Sequence, residues 1–244
     1  MRLKACAFDL GNTLINDTEL QAAAIEDLAQ DLARQELLPS TDCFVSTYLT
    51  VNHTDDLPFR SHTFGDVDFF SATLHRMAMT AIRPEELLSL YRRSIRRRTK
   101  RDPLVVEGIE YLRANGLKTA LISNESTDRV EAYLEDTGTR GLFDAVVVSE
   151  SVHVEKPDAR IFRLAIEILD CAAEEAAMFG DNEIADGACK RIGMKFVHVV
   201  GFKHVGWGWE RGDHFTPDFV IDRVELGQLR RLLKELTNGE DPHE

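Results

Sequence analysis

Apolar strands and amphipathic helices alternate in the sequence from residue 104 onward, and this alternation constrains the fold more than any other feature. The predicted strands are short apolar runs at residues 117–123, 143–149, 176–181, 194–200 and 218–224. The predicted helices lie between or after them, at residues 105–116, 127–138, 157–170, 183–193 and 226–236. This order is typical of an α/β fold, in which a Rossmann-like, mainly parallel sheet carries helices on both faces.

A further strand of the same type, ACAFDL, lies near the N-terminus and ends at Asp9. No strong strand is predicted between residues 15 and 103, where the pattern is mostly helical. The helices predicted there span residues 18–38, 66–82 and 84–100. Thr18 and Gln21 fit a capping box at the start of the first helix, and residues 39–65 are predicted to be irregular.

The chain is therefore expected to form one α/β core that is interrupted by a helical insertion. Residues 1–16 and 101–244 would form the core, and residues 17–100 would form an α-helical cap domain after the first strand. A chain of 244 residues is long enough to bury a substantial core and still carry such an insertion.

The overall composition is that of an ordinary soluble globular protein, with 43% apolar and 29% charged residues. The net charge of −13 argues against nucleic acid as a partner, because phosphate contacts need a basic face. No apolar run approaches the ~18 residues of a membrane span, and the N-terminal run is too short for a signal peptide. The four cysteines form no Cys-x-x-Cys pair, so we expect reduced thiols in a cytoplasmic protein.

Several reactive side chains lie where the predicted strands end. Asp9, Ser123 and Asp181 each stand at the end of a strand, and Lys156 lies in the loop after another. Because ligands of open parallel sheets bind at the carboxyl ends of the strands, we expect these side chains to share one site. A carboxylate such as that of Asp9 is costly to bury beside apolar residues without a partner, which favours a functional role.

Four short motifs surround these residues. They read FDLGNTL at 8–14, LISN at 121–124, EKPDARIF at 155–162 and MFGDNEIADGACKRIGM at 178–194. In this order they resemble the four motifs of the haloacid dehalogenase superfamily of hydrolases, the first of which usually reads Asp-x-Asp-x-Thr/Val. The helical insertion after the first motif is similar to the family's subfamily I, and the resemblance covers nearly the whole chain.

The resemblance implies a nucleophile and a metal site. Asp9 would attack phosphorus and form an aspartyl-phosphate. Mg²⁺ would be bound by Asp9, the Gly11 carbonyl and Asp181, which are the hard oxygen ligands that this ion prefers. Asp186 belongs to the same metal site, where it would steady the waters of the ion.

The resemblance also implies how the phosphoryl group is bound. Ser123 would bond the phosphoryl oxygens together with nearby backbone N–H groups, and the adjacent Asn124 is expected to bind substrate as well. Lys156 would balance the negative charge of Asp9 and the phosphoryl group. We therefore expect Asp9, Ser123 and Lys156 to be the catalytic residues.

Gly11 stands where motif one usually carries its second aspartate. In the family, that acid protonates the leaving group and then activates water, and such general acid–base help is worth roughly 10²–10⁴-fold. A glycine has no side chain and can do neither. Its backbone carbonyl remains available to the metal.

Three functions are compatible with this glycine. We favour a Mg²⁺-dependent phosphatase of a small phosphorylated metabolite with a good leaving group, such as a sugar-1-phosphate or an acyl phosphate. A hydrolase of another bond, such as carbon–halogen, is less favoured, because the family's dehalogenases use no metal and alter motif four, whereas GDNEIAD is kept here. Phosphonate cleavage needs a cap lysine, and none lies between Lys4 and Lys100. The third is a non-catalytic, phosphate-binding regulator.

Substrate choice in this family lies largely in the cap, where residues 91–101 are strongly basic. Most of these arginines fall opposite an apolar stripe and are expected to face solvent. Arg98 lies near the stripe, so we consider it for a buried ion pair or a substrate contact. The loop at 201–215 carries two tryptophans and is predicted to border either the active-site mouth or a subunit contact, in a monomer or a homodimer.

Overall fold

The computed structural model describes residues 3–52, 66–202 and 212–238. These residues divide into two compact units, a sheet unit that contains residues 3–16, 101–202 and 212–238, and a helical unit that contains residues 17–52 and 66–100. The assignment of residues 17–100 as a cap stays a prediction. None of the helices in the described part of the chain combines the length and apolar character that a membrane crossing requires.

A parallel sheet of six strands forms the centre of the sheet unit among the described residues. Its strands are β1 (Ala5–Phe8), β2 (Lys118–Ser123), β3 (Ala145–Val148), β4 (Ala176–Gly180), β5 (Lys195–Val199) and β6 (Phe219–Ile221). They lie in the order β3-β2-β1-β4-β5-β6, and every neighbouring pair is parallel. The predicted Rossmann-like parallel sheet is confirmed.

Four helices belong to the helical unit and five to the sheet unit, within the described ranges. They are α1 (Asp17–Arg34), α2 (Thr41–Asn52), α3 (Asp66–Arg76), α4 (Pro84–Arg98), α5 (Pro103–Ala114), α6 (Thr127–Thr137), α7 (Ser149–Val152), α8 (Ala159–Leu169) and α9 (Leu226–Asn238). A 3₁₀ turn at Gly187–Ile192 follows β4.

Alternate residues of β1 pack into two separate apolar clusters, because successive side chains of a strand point to opposite faces of the sheet. Cys6 and Phe8 belong to the cluster that includes residues of α5, α6 and α9. Ala5 and Ala7 belong to the cluster that includes residues of α8 and the 3₁₀ turn. Helices therefore cover both faces, as the alternation in the sequence predicts.

The order of the strands reverses beside β1. From β1 the chain adds β2 and β3 on one side, and then crosses to add β4, β5 and β6 on the other. Phe8 of β1 pairs with Phe179 of β4, and their stacked ring centroids lie 4.8 Å apart. The Asp9 N–H donates to the Phe179 carbonyl oxygen at 2.9 Å, so the first residue after β1 is fixed beside the end of β4. Ligand sites of open α/β sheets form at such a reversal.

Helix α2 corrects the prediction that residues 39–65 are irregular. Its sequence, TDCFVSTYLTVN, is rich in Ser, Thr and Val, which are poor helix formers. Phe44, Tyr48 and Val51 nevertheless recur at helical spacing and are fully or almost fully buried in the helical unit. Tertiary packing thus overrides weak propensity. Residues 53–65 lie outside the described residues.

Two other helix predictions are wrong in detail. Helix α1 begins at Asp17, so Thr18 lies inside the helix rather than at its cap, and the Asp17 carboxylate accepts a bond from Gln21 Nε2 at 2.5 Å. The helix expected at 183–193 is a loop followed by the 3₁₀ turn. Gly187 is the first residue of this turn, and a Cβ there would lie 2.9 Å from the Phe215 side chain, which is too close for a bulkier residue.

Arg98 pairs with Asp27 inside the helical unit and links α4 to α1. Its Nε donates to Asp27 Oδ2 at 2.9 Å and its Nη2 to Oδ1 at 2.7 Å, and Ser94 Oγ donates to Oδ2 at 2.5 Å. The Arg98 side chain is 42% exposed, so this is a partly exposed pair rather than a buried one. The hydrogen bonds from Arg98 lower the pKa of Asp27 to about 2.

We expect Asp27→Asn to lower the free energy of unfolding by about 1 kcal/mol at neutral pH, since it removes a charge-assisted link between two helices. The pKa of Asp27 is about 2 in the folded protein, below the ~3.9 of an unfolded chain. The stabilisation is therefore present above about pH 4 and is lost as the pH falls toward about 2, which gives the wild type a pH dependence that the variant lacks.

The measurement is urea denaturation at neutral pH and at about pH 3. Asp31→Asn is the matched control, because Asp31 lies on the same helix and pairs with Arg34 at the surface. It should change stability by less than about 0.5 kcal/mol. Equal pH profiles for the wild type and Asp27→Asn would contradict this account.

Candidate active site

Three aspartates meet at the carboxyl ends of β1 and β4. One carboxylate oxygen from each of Asp9, Asp181 and Asp186 lies within 4.8 Å of the other two, and all three residues are buried. Asp9 follows β1, Asp181 follows β4, and Asp186 immediately precedes the 3₁₀ turn. No other such group of acidic, His or Cys side chains occurs in the described part of the chain.

Lys156 supplies the positive charge of this cluster. Its Nζ donates to Asp9 Oδ1 at 2.6 Å and to Asp186 Oδ1 at 2.5 Å. Burial alone would lower the pKa of Lys156, but the two carboxylates outweigh that effect, so the pKa lies above its ordinary value and the lysine stays charged. Burial raises the pKa of Asp9, and Lys156 opposes that rise while Asp186 and Asp181 add to it.

The charges and donor atoms of the cluster fit a divalent cation. Three carboxylates and one ammonium group carry a net charge of −2 when ionised. Oxygen donors are the ligands that Mg²⁺ prefers. Asp186 already uses both of its oxygens, because Oδ1 accepts from Lys156 and Oδ2 accepts from the Asn182 N–H at 3.1 Å. The three aspartates thus form an oxygen-rich cluster in which Asp186 is fixed by partners on both of its oxygens.

The loop after β4 is built around Asp186. Asn182 Oδ1 accepts from the N–H groups of Ile184 and Ala185, both at 2.9 Å, and this closes the turn that returns the chain to the cluster. Gly180 makes room for it, because a Cβ at this position would lie 2.2 Å from Asp186 Cγ. The sequence analysis did not single out Gly180, since its role depends on a contact that only the folded loop creates.

His198 is a second residue that the sequence analysis missed. It lies on β5, and its Nε2 is 3.0 Å from the Asp181 carbonyl oxygen. Because a carbonyl only accepts, Nε2 must carry the proton of this bond. His198 therefore holds the main chain of Asp181. A polar residue within the apolar run KFVHVV was the available signal.

Ser123 is the last residue of β2, and Asn124 follows it. Both lie at the end of the sheet that carries the aspartates. Ser123 is buried, and its Oγ accepts a bond from the Glu125 N–H at 3.2 Å, which leaves the hydroxyl proton available for donation. The side-chain amide of Asn124 donates to the Lys156 carbonyl oxygen and accepts from the Lys156 N–H. The predicted substrate contacts of Ser123 and Asn124 stay predictions, as does that of Arg98, whose guanidinium binds Asp27.

Gly11 lies in the turn after β1. The positive-φ residue of this turn is Asn12, with a φ of 51°, and Gly11 is not among the described glycines with positive φ. The main chain at position 11 therefore does not need glycine for conformational reasons. The absence of a side chain at position 11 removes the acid that motif one usually carries there.

The chain is similar in sequence to proteins of known families. The haloacid dehalogenase-like hydrolase family matches residues 3–193. The chain belongs to this family. It is therefore a hydrolase. It is 26% identical to the pyrophosphatase PpaX of Bacillus velezensis, over 91% of this chain and 94% of that protein. It is 30% identical to the phosphoserine phosphatase of Thermus thermophilus, over 81% and 88% of the two chains.

A solved structure shows the same fold. YfnB from Bacillus subtilis, described as bound to magnesium, superposes with a TM-score of 0.74 at 20% identity, over 96% of this chain and all (100%) of that one. At this identity the likeness concerns the fold alone. It agrees with the six-stranded parallel sheet described above.

We expect Gly180→Ala to lower the free energy of unfolding by about 1–3 kcal/mol, because the added methyl group overlaps Asp186 and must displace it. Gly227→Ala is the matched control, since nothing lies within 4 Å of a Cβ at position 227, near the start of α9. That change should be neutral or stabilising by up to about 1 kcal/mol. Urea denaturation of the two variants checks the difference, and equal stabilities would be inconsistent with the contact.

Proposed function

We propose that this protein is a Mg²⁺-dependent phosphatase that hydrolyses a small phosphorylated metabolite through an aspartyl-phosphate on Asp9. One observation carries the proposal: Asp9 lies at the strand reversal, bonded to Lys156 and grouped with two further buried aspartates. The names of the relatives, which include a pyrophosphatase and a phosphoserine phosphatase, support phosphate esters or anhydrides as the substrate class.

The hydrogen bond from Lys156 suits Asp9 to the role of nucleophile. Lys156 Nζ binds Oδ1 of Asp9, which fixes the carboxylate and leaves Oδ2 for attack on phosphorus. A bond forms between Oδ2 and phosphorus, while the bond from phosphorus to the leaving oxygen breaks. Water then attacks the aspartyl-phosphate, which releases phosphate and restores the Asp9 carboxylate. The Ser123 hydroxyl and Lys156 would bind the phosphoryl oxygens during both steps.

Asp9 and Asp181 would hold Mg²⁺, and the family pattern adds the Gly11 carbonyl as a ligand. When bound there, the ion reduces the repulsion between the attacking carboxylate and the phosphate. Asp186 would steady the site from its bonds to Lys156 and to the Asn182 N–H. His198 would keep the Asp181 main chain in place.

Gly11 limits the substrates that this site can process quickly. With no acid at position 11, the leaving group must depart as an anion, so groups of low pKa are favoured over simple alcohols. Acyl, aryl and phosphoanhydride substrates meet this condition. The same glycine keeps a second function under consideration, a non-catalytic regulator that binds phosphate and Mg²⁺ without turnover. Hydrolysis of a carbon–halogen bond is disfavoured by the intact cluster of three aspartates.

Asp9→Asn is expected to abolish turnover of an aryl phosphate, because an amide oxygen is a far weaker nucleophile than a carboxylate. The fold should persist, since Lys156 keeps its second carboxylate partner, Asp186. Asp170→Asn is the matched control and should retain activity, because Asp170 ends α8 in the left-handed region that asparagine tolerates well. Steady-state rates with Mg²⁺ and with a chelator provide the measurement. An Asp9→Asn variant with wild-type activity would sink the mechanism.

The rate should rise steeply as the pKa of the leaving group falls, and Gly11→Asp should flatten this dependence by supplying a proton. Gly11 does not adopt positive φ, so its backbone conformation is open to an aspartate. A series of aryl and alkyl phosphates with graded leaving-group pKa provides the measurement. Equal rates across the series in the wild type would mean that another residue acts as the acid. Binding of Mg²⁺ and phosphate without any turnover would favour the regulator.

A further inference from the structure

The amide of Asn124 binds both main-chain polar groups of Lys156. Its Nδ2 donates to the Lys156 carbonyl oxygen at 2.8 Å, and its Oδ1 accepts from the Lys156 N–H at 2.8 Å. Both distances are at the short end of the usual range for N–H···O bonds. Within the described residues, these two main-chain groups have no other hydrogen-bond partner. The pair therefore acts as a two-point clamp on one residue.

The clamp joins two loops that are distant in sequence. Asn124 directly follows Ser123 at the end of β2, whereas Lys156 lies in the loop between α7 and α8, 32 residues further along the chain. The strands β2 and β3 are adjacent and parallel, so both loops leave the same edge of the sheet. Asn124 thus fixes the distance between the residue expected to bind the phosphoryl group and the residue that neutralises it.

The position of the Lys156 main chain matters because two of the three donors of its ammonium group are held by buried carboxylates. Nζ reaches two carboxylates at 2.6 and 2.5 Å, and only about 4% of the residue is exposed. A shift of the Lys156 main chain would lengthen or bend at least one of those two hydrogen bonds. Effects of this kind are large in active sites, where a misplacement of about 1 Å can cost a factor of about 10² in rate.

We propose that Asn124 is a positioning residue that acts through Lys156 and not through contact with substrate. The inference rests on the proposed function, in which Lys156 neutralises the charge of Asp9 and the phosphoryl group. Asn124 holds the lysine main chain so that Nζ meets Asp9 and Asp186 at once. Loss of the clamp should therefore weaken the chemical step and leave the affinity for substrate nearly unchanged.

Two substitutions separate this role from a substrate contact. Asn124→Ala removes both bonds, and Asn124→Asp keeps the shape but replaces the donor to the Lys156 carbonyl with a second acceptor. Asn115→Ala is the matched control, because Asn115 Nδ2 also donates to a main-chain carbonyl, that of Tyr111, and precedes the opposite end of β2. All variants are made in the full chain.

The first readout is kinetic, with an aryl phosphate and Mg²⁺. Both Asn124 variants should lower kcat about tenfold to a hundredfold with KM changed less than about threefold, while Asn115→Ala keeps both constants. The second readout needs no turnover. The ammonium ¹⁵N signal of Lys156, assigned through its loss in Lys156→Arg, should be sharp in the wild type because the group is buried and charged. In both Asn124 variants it should broaden and exchange with water at least about tenfold faster.

The outcomes are distinct. Wild-type kcat and an unchanged lysine signal in Asn124→Ala would overturn the proposal, and so would a rise in KM with kcat unchanged, which marks a substrate contact. If Asn124→Ala does not fold, Asn124→Asp decides by the same two readouts. If the wild type hydrolyses no phosphate ester, the proposed function fails, yet the lysine signal still tests whether Asn124 positions Lys156.

Discussion

The contact of one buried lysine with two buried aspartates organises the active end of this protein. Lys156 Nζ lies 2.6 Å from Asp9 and 2.5 Å from Asp186, and it brings together segments that are 147 and 30 residues away in sequence. Buried charges of this kind are tolerated only when they are paired and hydrogen-bonded. The loops after three strands must therefore adopt compatible conformations before any of these groups can be buried.

The sheet provides the fixed frame on which those loops depend. Strands β1 and β4 are neighbours at the reversal of strand order, and their paired residues Phe8 and Phe179 stack below the cluster. Because strands in register end at the same level, Asp9 and Asp181 meet without long side chains. The short reach of an aspartate limits how far each carboxylate can move, which suits the binding of a small cation and a phosphoryl group that we propose for this site.

Much of this arrangement could be predicted from the sequence, for reasons that differ between elements. Strands of the core appear as uninterrupted apolar runs, and Asp9, Lys156 and Asp181 stand out because polar residues end or follow those runs. Helix α2 was not predicted, since its Ser, Thr and Val residues have weak helix propensity and only the packing of Phe44 and Tyr48 stabilises it. Gly180 and the clamp from Asn124 depend on contacts that only the folded loops create, which no local pattern encodes, whereas the polar His198 within an apolar run was a readable signal.

The surplus of negative charge in the cluster would couple binding of the proposed Mg²⁺ to folding. When all three carboxylates are ionised they face a single ammonium group, and a bound cation would relieve their mutual repulsion. An ion that binds the folded chain alone adds RT ln(1 + [L]/Kd) to the free energy of unfolding, or about 2.7 kcal/mol at a concentration of 100 Kd. With Mg²⁺ bound as proposed, the resistance of the protein to heat and denaturant would depend on the divalent cation supply, and variants would be comparable only at a fixed ion concentration.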